Sequence, residues 1–375
     1  MKGPVLSPMI STPSFAKINL GLKIGPARTD GFHELRTVYQ TLALHDTVRV
    51  DVQPGSGIEI RCNDPRVPCD DSNTCYKIAE RVMAALDNGN EFADSPEQQV
   101  PRLLARNGLV ARDDNKRGDR TAEAVPLQGR VIIQIEKRLP VQGGLGAASS
   151  NAVAAMLGLE RAHGARLSAQ DKLRIAAEVG SDLPLFLIGG TVLGVGRGEE
   201  VYPLPDLPTL HVVVVTPPIG VSTPMAFARW DELNATESGL TGADAAGTMN
   251  QFSQNVFAWL SGGLYPQAKP ASGVPAGGGD RAETPLLDLV RAGIENDFER
   301  VVFPEYPDLR EVKELLQREG AQYASLSGSG STVYGLFASA QEAQAAATRV
   351  SAAGHAAVAT TTLTRHEYWK AVAGG

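Results

Sequence analysis

The chain has 375 residues, enough for two compact domains, and its 43 % hydrophobic and 21 % charged side chains are an ordinary globular balance. A formal net charge of −7 excludes a general affinity for nucleic acid, although a few local Lys and Arg side chains still suffice to hold the phosphates of a small molecule. The three cysteines, Cys62, Cys69 and Cys75, lack the fourth ligand and the spacing of a structural zinc site, and the six histidines form no metal-binding helix pair, so no metal-ligating residues are expected. Met1 to Phe15 lacks the apolar core of a signal peptide and no run is long enough to cross a bilayer, so a cytoplasmic location without membrane contact is expected.

Ala16 to Ile24 alternates apolar and polar side chains, the period of a half-buried strand, and Lys17 within it reads locally as a solvated charge. Asp30-Gly31-Phe32-His33 reads as a turn. Thr47 to Val52 and Ile58 to Cys62 are β-rich runs on either side of Gln-Pro-Gly-Ser-Gly, which predicts a hairpin. Ser72 or Asn73 can cap a helix over Tyr76 to Leu86. Arg130 to Glu136 is another strand, and Leu139-Pro140 leads through glycines into an Ala-rich helix from about Ser149 to His163.

In the second half, Leu210 to Thr216 predicts a strand buried on both faces. Helical segments end with Asp308 to Glu319. Strands Gln322 to Leu326 and Thr332 to Phe337, a helix from Gln341 to Ala353 and a strand from His355 to Thr361 follow. That is the β-α-β-β-α-β order of a ferredoxin-like domain. The proline-rich stretch Pro203 to Pro208 marks a boundary between residues 1–203 and 204–375. Asn88 to Gln128 and Asn234 to Glu283 have the composition of long loops and read as insertions, one in each half.

The strongest local signal is the run Leu139-Pro140-Val141-Gln142-Gly143-Gly144-Leu145-Gly146-Ala147-Ala148-Ser149-Ser150-Asn151. Glycines let a backbone approach a ligand closely, and the helix start that follows offers unpaired N–H groups and a positive dipole end. The run is not a P-loop, since G-K-[ST] is missing, and it fits the dinucleotide fingerprint poorly because Ser149 stands where the third glycine belongs. A second small-residue loop, Ser325 to Thr332, lies between two strands and is either a plain hairpin or a second phosphate clamp. Asp182, in Gly-Ser-Asp-Leu-Pro-Leu-Phe, is a lone acid that could equally be a helix cap.

Taken together and in this order, A-K-I-N-L from Ala16, D-G-F-H from Asp30, the glycine-rich loop, G-S-D-L-P-L-F from Gly180 and S-G-S-G from Ser327 resemble the GHMP small-molecule kinases. The pair A-K-I-N-L and D-G-F-H-E-L, with the N-D-F-E stretch at Asn296 to Glu299, is similar to that of a branch acting on a cytidine diphosphate alcohol of non-mevalonate isoprenoid synthesis. The resemblance implies an α+β, two-domain architecture, an S5-like N-terminal domain and a ferredoxin-like C-terminal domain with the active site in the cleft between them. It implies ATP and Mg²⁺ as cofactors. Pro140, Gly143, Gly144, Leu145, Gly146, Ala147, Ala148, Ser149 and Ser150 would hold the ATP phosphates, and Asn73 and Lys77 would flank the nucleoside. Asp182 would take the proton of the substrate hydroxyl with Lys17 beside it, and Asn19, Phe32, His33, Thr223, Gly328 and Gly330 would meet the alcohol substrate. Phe32 departs from the usual Tyr, which keeps stacking but loses a hydroxyl. Other GHMP substrates (mevalonate, phosphomevalonate, homoserine) and a nucleotide-holding sensor remain the alternatives.

Overall fold

The computed structural model describes residues 9–87, 129–141, 143–236, 247, 249–256 and 295–374. The first expected insertion and most of the second lie outside them.

The chain begins with two long antiparallel strands, β1 (Ile10–Ala27) and β2 (His33–Gln53), in a register that sets Asn19 opposite Tyr39 and Lys17 opposite Thr41. The two ends of β2 take different second partners. Thr47–Gln53 pairs with β4 (Arg130–Glu136), and Thr37–Gln40 pairs with β5 (Thr191–Val195), beyond which β6 (Glu200–Pro203) forms the edge. With β3 (Ile58–Cys62) at the other edge, the order is β3-β4-β2-β5-β6, with β1 on β2.

The hairpin expected around Gln-Pro-Gly-Ser-Gly does not form. β3 (Ile58–Cys62) runs parallel to β4, and β4 lies between it and β2. Strands sit about 4.8 Å apart, so the link at residues 54–57 has to span only about 10 Å, well within its reach. Inserting β4 there buries Val131, Ile133 and Ile135 in the core. The local turn chemistry was real, but a strand distant in sequence took the neighbouring slot.

The second correction concerns β1, which is buried on both faces rather than one. Ala16, Ile18 and Leu20 pack against Val212, Val214, Tyr334 and Leu336 of a second sheet. Lys17 and Asn19, one residue out of phase and so on the other face, are only 3 % and 1 % exposed. The charge expected in solvent is therefore interior.

Helices α1 (Thr74–Asp87), α2 (Ala147–His163), α3 (Ala169–Val179) and the single turn α4 (Leu183–Phe186) cover the first sheet. Asn73 caps α1, its side-chain oxygen accepting from the Cys75 N–H at 2.8 Å. The three cysteines are free thiols, and no cluster of His, Cys, Asp or Glu able to hold a metal occurs among the described residues. Nor does any described helix have the length and apolarity to cross a membrane.

The second sheet contains β7 (His211–Val215), β8 (Tyr323–Leu326), β9 (Val333–Phe337) and β10 (Ala357–Thr361) in the order β10-β7-β9-β8, all antiparallel. That is the ferredoxin-like arrangement read from the strand order. Helices Pro307–Arg318 and Ala340–Ala352 bury Leu309, Val312, Leu316, Ala346 and Val350 in its core. Helix α5 (Thr223–Thr236) follows β7. The helical segment at 249–256 lies inside the second expected insertion, yet its Phe252 and Val256 share a core with Leu20 and Val38. That piece is packed, not a surface excursion.

Candidate active site

A cavity of about 970 Å³ is walled by β1, the start of α2, α5 and both glycine-rich loops. Its size is at the upper end of small-molecule sites.

At one end stands the phosphate loop. Gly146 has φ 68° at the N-cap of α2, no side chain caps the helix, and Ala147, Ala148 and Ser149 line the cavity. A helix start of this kind attracts anions through its free N–H groups and its dipole. The loop is held from behind by the fully buried Asp46, which accepts from Lys137 Nζ at 2.5 Å and from the Arg138 and Leu139 N–H groups at 2.7 Å each. From the front it is braced by the second loop. The Thr332 N–H donates to the Gly143 carbonyl at 3.0 Å, and the Ser327 hydroxyl to the Gly144 carbonyl at 3.0 Å. The two backbones touch. A Cβ on Gly144, at φ 85°, would lie 2.3 Å from the Ser327 carbonyl oxygen, and one on Gly330 would lie 2.5 Å from the Gly144 nitrogen.

In the middle lies the charged pair. Lys17 Nζ is 3.5 Å from Asp182 Oδ2 and donates to Asn19 Oδ1 at 2.7 Å. Asn19 in turn donates to the Thr37 hydroxyl at 2.7 Å, which donates to the Gly21 carbonyl. Burial pushes the Lys17 ammonium below its usual 10.5, and Asp182 pulls it back up by charge and hydrogen bond. Tyr39 donates to the other carboxylate oxygen of Asp182 at 3.1 Å. Burial first, then the neighbouring Asp182 charge, pushes the Tyr39 phenol well above 10, so it stays protonated as a donor. Asp182 precedes α4 but caps nothing, which leaves its side chain to Lys17, Tyr39 and the cavity.

Aromatic side chains form the far end. The His33 ring is stacked on Phe227, centroids 5.0 Å apart and planes at 14°, and its Nε2 is 2.7 Å from Asp231 Oδ1. Phe32 is half exposed, with the Arg197 guanidinium 4.9 Å from its ring centre. Thr223, at the start of α5, exchanges a 2.7 Å hydrogen bond with Ser329 of the second loop.

Most of the residues singled out in the sequence line this one cavity: Lys17, Asn19, Phe32, His33, Asn73, Pro140, Gly143, Gly144, Leu145, Gly146, Ala147, Ala148, Ser149, Asp182, Thr223 and Gly328. Three do not. Lys77 is exposed on α1, away from the lining. Ser150 is buried, and its hydroxyl accepts from Ser14 at 2.8 Å. Gly330 works through its backbone contact with the phosphate loop. Sequence reasoning passed over Tyr39, Phe227, Asp231 and Arg197. Phe227 and Asp231 lie one and two turns beyond Thr223 on α5, a spacing that could have suggested them. Tyr39 could emerge only from the β1–β2 register.

Two family models match the chain, the GHMP kinase N-terminal domain at residues 115–190 and the GHMP kinase C-terminal domain at 283–356. The chain belongs to the GHMP kinases, ATP-dependent enzymes that phosphorylate small molecules. It is 32 % identical over 343 residues to a 4-diphosphocytidyl-2-C-methyl-D-erythritol kinase of Acaryochloris marina, covering 90 % of each chain. A protein of the same name from Solibacter usitatus is 33 % identical over 325 residues, 86 % of this chain and 80 % of that one. Among solved structures, a 4-(cytidine 5'-diphospho)-2C-methyl-D-erythritol kinase superposes with TM-score 0.60 at 23 % identity, covering 94 % of this chain and 99 % of the other. The L. major mevalonate kinase does so with TM-score 0.63 at 15 % identity over 97 % and 99 %. The last two speak for the fold.

Proposed function

We propose that this kinase transfers the γ-phosphoryl group of ATP to the 2-hydroxyl of 4-diphosphocytidyl-2-C-methyl-D-erythritol, a step of non-mevalonate isoprenoid precursor synthesis. The observation that carries this reading is the His33–Phe227 stack at the far end of the cavity that holds Lys17 and Asp182. A flat aromatic wall with a polar ring edge suits a pyrimidine base, and mevalonate or homoserine offers nothing to stack on it. The names of the relatives support the same substrate.

In this reading the nucleotide phosphates lie along Gly143–Ser149 with the base toward Asn73, and the cytidine lies among Phe32, His33 and Phe227. The substrate hydroxyl oxygen attacks the γ-phosphorus, its proton passes to an Asp182 oxygen, and the bond to the ADP oxygen breaks. Phosphoryl transfer needs chiefly positioning and charge neutralisation, and the interior Lys17 supplies fixed positive charge beside the reacting oxygens. Asn19, Thr37 and Tyr39 hold Lys17 and Asp182 in place. Mg²⁺ carried in on the nucleotide would be held chiefly by the substrate phosphates, and the cavity-lining Ser149 hydroxyl is a residue that could meet it there. Bound there, it would neutralise phosphate charge.

The test is ADP release with ATP and Mg²⁺ over a panel of alcohols. Turnover with the cytidine diphosphate alcohol and none with mevalonate, phosphomevalonate or homoserine is the expected result. Turnover with one of the latter alone would assign the chain to another GHMP substrate.

A further inference from the structure

The stretch Asn296-Asp297-Phe298-Glu299 is absent from the cavity lining except for Phe298, yet its polar side chains all reach toward the active site's two supports. Asn296, 2 % exposed, donates from one amide nitrogen to the Leu326 carbonyl at 2.8 Å and to the Gly328 carbonyl at 2.8 Å. Its oxygen accepts from the Phe298 N–H at 3.1 Å, so the amide is locked in one orientation. On its other side the backbone bridges β1, the Leu22 N–H donating to the Glu295 carbonyl and the Asp297 N–H to the Leu22 carbonyl, both at 2.9 Å. Asp297 adds an ion pair to Lys23 at 2.7 Å and accepts from the Ile24 N–H. Glu299 accepts from the Ser325 hydroxyl at 2.8 Å and the Leu326 N–H at 2.9 Å.

One short segment thus fastens β1, which carries Lys17 and Asn19, to the second glycine loop. The distance it fixes is the one that matters for chemistry. A Cβ on Gly328, at φ 61°, would lie 3.2 Å from Asn19 Oδ1 and 3.5 Å from Lys17 Nζ, so the Gly328 backbone stands directly over the charged pair. One and two residues away, Ser327 and Gly330 grip the phosphate loop at Gly144.

We infer that Asn296 is a positioning residue for phosphoryl transfer: its two carbonyl contacts set the height of the second glycine loop above Lys17 and, through that loop, the placement of the phosphate loop. Displacements of about 1 Å in a reacting geometry cost on the order of 100-fold in rate, whereas ground-state binding tolerates them better. The inference uses the substrate of the preceding section only as the assay compound. A wild-type enzyme that does not turn over this compound would refute that choice and leave Asn296 to be assayed on whichever alcohol is accepted.

The experiment compares Asn296→Ala with Val312→Ala, a cavity variant in the core beneath the same sheet. Expected for Asn296→Ala is a fall in kcat of about 10- to 100-fold at 25 °C, with both KM values within about threefold of wild type. Val312→Ala, at equal or greater loss of Tm, keeps wild-type kcat. Asn296→Asp preserves volume and the contact to the Phe298 N–H but turns an oxygen toward two carbonyls, and it carries the test if the alanine variant does not fold. A kcat within twofold of wild type in the folded Asn296 variant, or an equal loss in Val312→Ala, overturns the inference.

Discussion

The two ends of the cleft are built from different materials. The phosphate end is made of backbone: glycines that press main chain on main chain, an uncapped helix start, and a carboxylate, Asp46, that grips N–H groups. The aromatic end is made of side chains from three separate segments, Phe32 and His33 at the start of β2, Arg197 beyond β5, and Phe227 and Asp231 on α5. Backbone recognition of phosphate asks for a fixed run of small residues, so it leaves a contiguous mark in the sequence. Side-chain recognition of a base asks only that the rings meet in space. In the proposed reading the first end serves a cofactor common to the whole family, and the second is free to vary with the substrate.

If that division holds, damage at the centre abolishes chemistry, and damage at either end harms one ligand. The largest effect is expected at the centre. Asp182→Asn should lower kcat by about 10²–10⁴-fold, the usual worth of a general base, while ADP still binds. Single-turnover ADP release checks it. Gly144→Ala comes next, since it adds a Cβ 2.3 Å from the Ser327 oxygen at a φ of 85°. Its KM for ATP should rise tenfold or more with a lowered Tm, and its KM for the cytidine compound should change less. At the other end, Phe227→Ala removes a stacking face worth about 1–3 kcal/mol, roughly 5- to 150-fold, and should raise only the KM for the cytidine compound. Steady-state kinetics with each substrate varied in turn separates the two variants.

The charged centre also has a pH signature. Because burial lowers the Lys17 pKa, the ammonium is lost at a pH below 10.5, and the rate should fall as pH rises through that lowered value. Asp182 raises the Lys17 pKa, so Asp182→Asn should move this alkaline limb further down. A limb at or above 10.5 in the wild-type pH–rate profile would show that Lys17 does not supply the required charge. The smallest effect concerns Asp231, more than half exposed, whose contact orients the His33 ring. Asp231→Asn should raise the KM for the cytidine compound about two- to fivefold and leave that for ATP unchanged.

The same division explains what the sequence disclosed. The glycine-rich loop, the second loop and the ferredoxin-like strand order were legible because each depends on residues close together in the chain. The burial of Lys17 was not, because alternation along β1 says which residues share a face but not that Gly146, Tyr39 and Asp182 close over the polar one. The false hairpin at residues 54–57 failed for a like reason, since turn chemistry says that the chain reverses and not which strand then fills the gap. Tyr39 and Phe227 needed the assembled register and helix face.

In the proposed reading one cleft holds two ligands at chemically distinct ends, on either side of Lys17 and Asp182. Titration calorimetry on the Asp182→Asn variant tests it most directly, with ADP and the cytidine diphosphate alcohol added separately and then together. One site for each, simultaneous occupancy, and weakened binding of only the cytidine compound when Phe227→Ala is added are expected. Mutual exclusion of the two ligands, or loss of ADP binding on adding Phe227→Ala, would contradict it.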